Sequence, residues 1–210
     1  ARAIEAHHGW VMAITVSPDG KLIATSGNDQ LIKLWAFADG KLVRTLEGHE
    51  SPVYNIAFHP NGRQLASSDL KCNIFDWEIA TGKLARKLKA EKMHTYDKLF
   101  KVDVGGARSM QFNADGTKLA IGGVTNVTHA FGGVQNPSVV MIDWKSGKNL
   151  MQHLAKVTFK GIGGSGTGFS VGSTSFDRDT PFALESNSRC GTVSNRDRAG
   201  DFDCLVAGAI

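Results

Sequence analysis

The stretch Ser17–Trp35, SPDGKLIATSGNDQLIKLW, returns 42 residues later as His59–Trp77, HPNGRQLASSDLKCNIFDW, with no gap. Pro18 meets Pro60, Gly20 meets Gly62, Ala24 meets Ala66, Ser26 meets Ser68, Ile32 meets Ile74 and Trp35 meets Trp77. The match runs outward on both sides, through His7/His49, Val11/Val53 and Ile14/Ile56 upstream and Gly40/Gly82, Leu42/Leu84 and Leu46/Leu88 downstream. A period of 42 lies within the ~40–45 residues of four-stranded propeller blades and away from the ~34 of paired-helix repeats.

Local signals inside one period agree with strands. Val11–Ser17 is β-branched and apolar, and Pro18-Asp19-Gly20 then supplies a fixed φ, a side-chain acceptor and a residue tolerant of positive φ. Leu22–Gly27, Leu31–Phe37 and Leu42–Leu46 follow as three more short runs, parted by Asn28-Asp29 and Asp39-Gly40. Composition is that of a globular chain, with 41% hydrophobic and 21% charged residues, and 24 Gly with only 5 Pro in 210 residues suit many tight turns. The expected fold is all-β: a partial β-propeller of four-stranded antiparallel blades in an open or incomplete ring.

A third, altered copy sets Asp115–Ala120 on Asn61–Ala66 at an offset of 54, and Trp144 against Trp77 at an offset of 67. Residues have thus been added before this blade and again between its second and third strands. The blades are expected at 5–48, 49–90 and 105–155 within a domain spanning 1–160. The remainder, 161–210, reads as a degenerate fourth blade or a disordered tail. Its Gly161–Gly168 run is followed by no Lys-Ser/Thr pair and reads as a flexible turn, not a phosphate loop.

These residues resemble the WD40 repeat family, from His7 and Val11 through Ser17–Trp35 to Gly40-Lys41 and His49, over residues 5 to 154. The resemblance implies a buried network of His7, Thr25, Asp29 and Trp35 in blade one. For blade two it implies His49, Ser67 and Trp77 but no carboxylate, because Lys71 stands where Asp29 stood. Blade three keeps only Trp144, and the name-giving Trp-Asp pair is missing throughout. It further implies a noncatalytic protein- or peptide-binding scaffold that mediates complex assembly. The alternative is the propeller portion of a larger enzyme or regulatory protein whose catalytic domain lies outside this chain, and a third option is nucleic-acid binding.

Charge selects no partner, since 24 Lys+Arg against 20 Asp+Glu leave only +4. The densest basic run, Lys83, Arg86, Lys87, Lys89, Lys92, Lys98 and Lys101, reads as a solvated strand and loop, so nucleic acid is disfavoured. No window reaches ~18 apolar residues, which disfavours a membrane span, and the expected compartment is cytoplasmic. Ala1 in place of Met admits a processed chain or a fragment. Cys72, Cys190 and Cys204 cannot all pair. No G-x-S-x-G elbow, calcium-loop spacing or metal-ligand spacing occurs, so no catalytic residue, cofactor or metal is expected.

The two insertions carry the functional expectation. In a blade, the crossover into the first strand and the turn between strands two and three emerge at the same end, so residues 89–106 and 124–137 should be neighbours. Tyr96, Lys98, Phe100, Arg108, His129 and Phe131 are the candidate partner-binding residues, as aromatic anchors with selective charge on loops of a rigid scaffold. The rival reading is that long surface loops simply tolerate insertion.

Overall fold

A reversal that needs positive φ recurs in all three repeats, at Gly20, Gly62 and Gly116, with φ of 69°, 68° and 74°. Each closes a hairpin through the bonds Ser17 N–H to Leu22 O, His59 N–H to Gln64 O and Asn113 N–H to Lys118 O. The computed structural model describes residues 3–90, 92–129 and 134–154. Phe131 and the segment 161–210 lie outside the described residues.

Blade one is the antiparallel sheet β1 (Val11–Val16), β2 (Leu22–Gly27), β3 (Ile32–Ala36) and β4 (Leu42–Leu46), paired in that order. Blade two repeats it with β5 (Val53–Phe58), β6 (Gln64–Asp69), β7 (Asn73–Glu78) and β8 (Leu84–Lys89). A two-stranded hairpin of β9 (His94–Asp97) and β10 (Val102–Gly105) comes next. Blade three is β11 (Ser109–Phe112), β12 (Lys118–His129), β13 (Val134–Asp143) and β14 (Asn149–Leu154). Even the irregularities repeat, for β1 slips register between Val11 and Ala13 and β5 slips between Val53 and Asn55. The three blades form no closed ring among the described residues.

The blades stack face to face through two apolar layers. Ala24, Ile32, Leu34 and Leu46 of blade one meet Val53, Ile56, Phe58, Leu65, Phe75 and Trp77 of blade two. Cys72, Ile74 and Ala66 of blade two meet Met110, Phe112, Leu119, Ile121, Val140 and Ile142 of blade three. Full burial of such side chains is worth roughly 1.5 to 3 kcal/mol each. Among the described residues, the opposite face of blade one meets no blade. Ile14 is 68% exposed, whereas its repeat mate Ile56 is 4% exposed. Ile56→Ala should therefore cost about 2 to 5 kcal/mol and Ile14→Ala no more than about 0.5 kcal/mol, which urea denaturation of the two variants would read directly.

An arginine ties each blade to the next. Arg44 on β4 donates from Nη2 to Ala80 O at 2.9 Å and from Nη1 to Thr81 O at 3.0 Å. One period later, Arg86 on β8 donates from Nη1 to Lys145 O at 3.1 Å and from Nε to Asp76 Oδ2 at 2.8 Å. Burial pushes the Asp76 carboxyl above its ordinary value, opposed by Arg86 and by the Gln64 amide. Arg86 also lies over the Trp144 ring and Lys87 over the Phe75 ring, at 4.5 and 4.8 Å from the ring centroids. Part of the basic run thus serves internal packing.

The register corrects the place of Trp144. On β6, Leu65 faces Trp77, but on β12 its counterpart Leu119 faces Ile142. The third turn agrees: Gly82 and Gly147 share a positive φ, and Glu78 N–H to Lys83 O matches Asp143 N–H to Lys148 O, at an offset of 65 and not 67. Trp144 therefore stands where Ile79 stands, its N–H bonding Thr117 O as that of Ile79 bonds Arg63 O. Its ring packs edge-on against Phe112, and its buried Nε1 has no partner among the described residues. Ile121 and Ile142 replace Ser67 and Trp77, so blade three holds this position by aliphatic packing alone.

Candidate functional site

The rigid part of the scaffold is built around two histidines. In blade one, His7 Nδ1 lies 2.9 Å from Asp29 Oδ1, His7 Nε2 lies 2.8 Å from Thr25 Oγ1, and Trp35 Nε1 donates to the same Oγ1 at 2.9 Å. These partners assign the ring proton to Nδ1, leaving Nε2 to accept from the hydroxyl. Burial pushes the Asp29 carboxyl up, but bonds from the His7 ring and from the His8 and Leu31 N–H groups prevail and hold it below its usual range. The chain Trp–Thr–His–Asp satisfies every buried polar group it contains, as a low-dielectric interior requires.

Blade two has the complete network, which overturns the expectation that it lacks a carboxylate. His49 Nε2 is 2.7 Å from Ser67 Oγ, Trp77 Nε1 donates to that oxygen at 2.8 Å, and His49 Nδ1 is 3.2 Å from Asp69 Oδ2. Asp69 is the repeat mate of Gly27, not of Asp29. A Cβ on Gly27 would stand 2.5 Å from the His7 ring and 2.7 Å from Asp29 Oδ1, so blade one leaves this position bare and sends its carboxylate from the turn. Blade two sends the carboxylate from the strand itself and leaves Lys71 free of that duty. The two turns are otherwise alike, with Gln30 at φ 69° and Cys72 at φ 57°. Burial again raises the Asp69 carboxyl, and His49 with the side chain and N–H of Asn73 outweighs it, for a net lowering.

At the same position blade three has Gly123, and the space is filled by Met93, whose Cε would be 2.6 Å from a Cβ there. Met93 is fully buried and roots the inserted hairpin. Cys72 Sγ donates to Met93 O at 3.3 Å, Ala90 N–H bonds Cys72 O at 3.1 Å, and Thr125 Oγ1 donates to Lys92 O. Burial pushes the Cys72 thiol up to about 11, so it stays protonated and unreactive. Both β9 and β10 touch β12. Residues 89–106 and the described part of 124–137 accordingly lie side by side on blade three.

Beyond that root the hairpin is exposed. His94 Nε2 lies 2.7 Å from Asp103 Oδ1, with Lys71 Nζ 3.9 Å from the other oxygen. Asp97 Oδ1 accepts from the N–H groups of Leu99 and Phe100 at 2.9 and 3.1 Å and shapes the tip. Tyr96, Lys98 and Phe100 are exposed there, and Leu99, which sequence reasoning passed over, is 77% exposed. Arg108 lies apart from the tip residues in its contacts, with its guanidinium 5.7 Å from the Tyr54 ring centroid. His129 sits on β12 opposite Val134 in the backbone register. Met93 and Leu99 are visible in the sequence as apolar residues of the insertion beside Phe100, Val102 and Val104, but their order alone does not separate the buried one from the exposed one. Among the described residues no group of three or more His, Cys, Asp or Glu side chains is placed to hold a metal ion, and no helix is long and apolar enough to cross a membrane.

The family model "WD domain, G-beta repeat" matches residues 1–36 and 40–76. The small ribosomal subunit protein RACK1z of Oryza sativa subsp. japonica is 50% identical over 38 residues, 18% of this chain and 11% of that protein. The pre-mRNA-splicing factor PRP46 of Candida glabrata is 48% identical over 42 residues, 20% of this chain and 10% of that protein. The matches therefore span about a tenth of each relative's length. Among solved structures, the RRP9 WD40 repeats align with a TM-score of 0.56 at 18% identity, covering 72% of this chain and 40% of the other. U3-55K aligns with a TM-score of 0.57 at 18% identity, covering 73% and 42%. At that identity the likeness concerns the fold.

Proposed function

Since residues 1–36 and 40–76 match the WD-domain repeat, we propose that the chain acts as a noncatalytic platform for a protein or peptide partner, bound at the inserted hairpin of blade three. One observation carries this reading: the hairpin is anchored by a fully buried Met93 yet displays Tyr96, Leu99 and Phe100 at its outer end. Ordering is thus largely complete before a partner arrives, and large apolar side chains held on a fixed root add contact area at little entropic expense. The names of the relatives, a ribosomal subunit protein and a splicing factor, support a place in a multi-component assembly. Tyr96, Lys98 and Phe100 are the members of the proposed surface at the tip itself, Arg108 and His129 are proposed to flank it, and Phe131 lies outside the described residues.

The test replaces residues 95–102 by a short Gly-Ser turn and compares the partners captured by the two proteins in cells. The variant should keep the parent's thermal transition to within a few degrees while losing a defined set of partners. An unchanged partner set would refute the assignment.

A further inference from the structure

The tip of the inserted hairpin has a chemical character that narrows the partner. Four residues, Lys98, Leu99, Phe100 and Lys101, join β9 to β10, and all four are exposed. Neither lysine forms an ion pair with a carboxylate among the described residues. The acidic groups nearby are engaged: Asp97 accepts from two backbone N–H groups, and Asp103 is shared by His94 and Lys71. The tip is therefore a cationic rim on an apolar patch of Tyr96, Leu99 and Phe100. It is also fixed in shape, because the Asp97 carboxylate closes the turn and Lys101 adopts φ 51°, a left-handed conformation that a lysine rarely holds outside a defined turn.

Resting on the platform reading above, we propose that this tip binds an acidic peptide segment bearing aliphatic or aromatic side chains. Leu99 and Phe100 cover its apolar residues while Lys98 and Lys101 face its carboxylates. Apolar contact supplies the affinity, and the two lysines supply selection and faster encounter. Nucleic acid fits less well, since Arg86 and Lys87 of the adjoining basic run are turned to internal partners. Asp97 is a positioning residue, holding Leu99 outward without touching the partner.

The experiment is a selection from a random peptide display library on the whole 210-residue chain, followed by affinity measurement of a selected synthetic peptide at two salt concentrations. Enrichment of Asp/Glu-rich peptides with interspersed apolar residues is expected. Leu99→Ser should weaken the peptide about tenfold. Lys98→Gln with Lys101→Asn, which keeps a residue suited to positive φ, should weaken it about threefold to tenfold at low salt and much less at high salt. Asp97→Ala should slow association without changing which peptides are selected. Selected peptides without acidic residues, or affinity indifferent to both Leu99→Ser and the lysine replacements, would overturn this inference while leaving the platform reading intact. Selected peptides that still bind after residues 95–102 are replaced would overturn both. Tighter, tip-dependent binding of a twenty-nucleotide uridine RNA or of phosphatidylserine vesicles would also overturn the acidic-peptide assignment.

Discussion

Asp69→Ala should lower the stability of the protein by roughly 3 kcal/mol or more, the expected result of stranding several buried donors that this one carboxylate satisfies, each at about 1 to 3 kcal/mol. Asp69 serves His49 and also accepts from Lys71 N–H, Asn73 N–H and the Asn73 amide, at 2.9 Å in each of the last three cases. Asp29→Ala in blade one should cost less, about 1 to 3 kcal/mol, because that network borders solvent. Lys71→Asp alone should bring no gain, since the carboxylate site is already filled and a second charge would crowd it. The decisive variant is Asp69→Gly with Lys71→Asp, which copies the Gly27/Asp29 arrangement into an equivalent turn. It should recover most of the loss, read as a restored urea midpoint at unchanged slope. Acid adds a second readout. Asp29 and Asp69 have lowered values in the fold, so their stabilisation is present above the unfolded-chain pKa of ~3.9 and is lost as pH falls through the folded values. Asp76 works in the opposite sense, its raised value costing stability as pH rises through it. Asp69→Asn should therefore flatten the loss of stability below about pH 4.

The seat of the inserted hairpin is expected to fail from either side. Met93→Ala empties a fully buried site and should cost about 2 to 5 kcal/mol. Gly105→Ala attacks the same joint by overfilling it. A Cβ there would stand 2.5 Å from Met93 O, 3.0 Å from His94 Cα and 3.1 Å from Leu70 O, all backbone atoms that side-chain rotation cannot relieve. The backbone must move, at about 1 to 3 kcal/mol. Hydrogen exchange should show the amides of β9 and β10 losing protection while those of β6 and β7 keep theirs. If partner binding depends on a fixed root, Gly105→Ala should weaken it although every tip residue is intact. Tight binding by a variant whose hairpin exchanges freely would show that preorganisation is not what the root provides.

Much of this architecture can be read from residue order alone. Turns depend on neighbours in the chain, so Pro18-Asp19-Gly20 and its copies mark the hairpins, and an alternation of apolar residues that returns every 42 positions requires a stack of like sheets. The same logic places two insertions around one blade. Three assignments needed the folded chain. A buried histidine requires a carboxylate at a point in space, and residues two apart at the end of a strand can both reach it, so Asp69 could replace an aspartate expected at Lys71. Trp144 drew the third repeat two residues out of register because a tryptophan is conspicuous in sequence, whereas the ladder follows backbone pairing and seats Ile142 opposite Leu119. Met93 lies within an insertion that has no counterpart in the other repeats. Its role against Gly123 arises because the missing histidine and carboxylate leave a space that a flexible thioether can fill, and only the packed blades define that space.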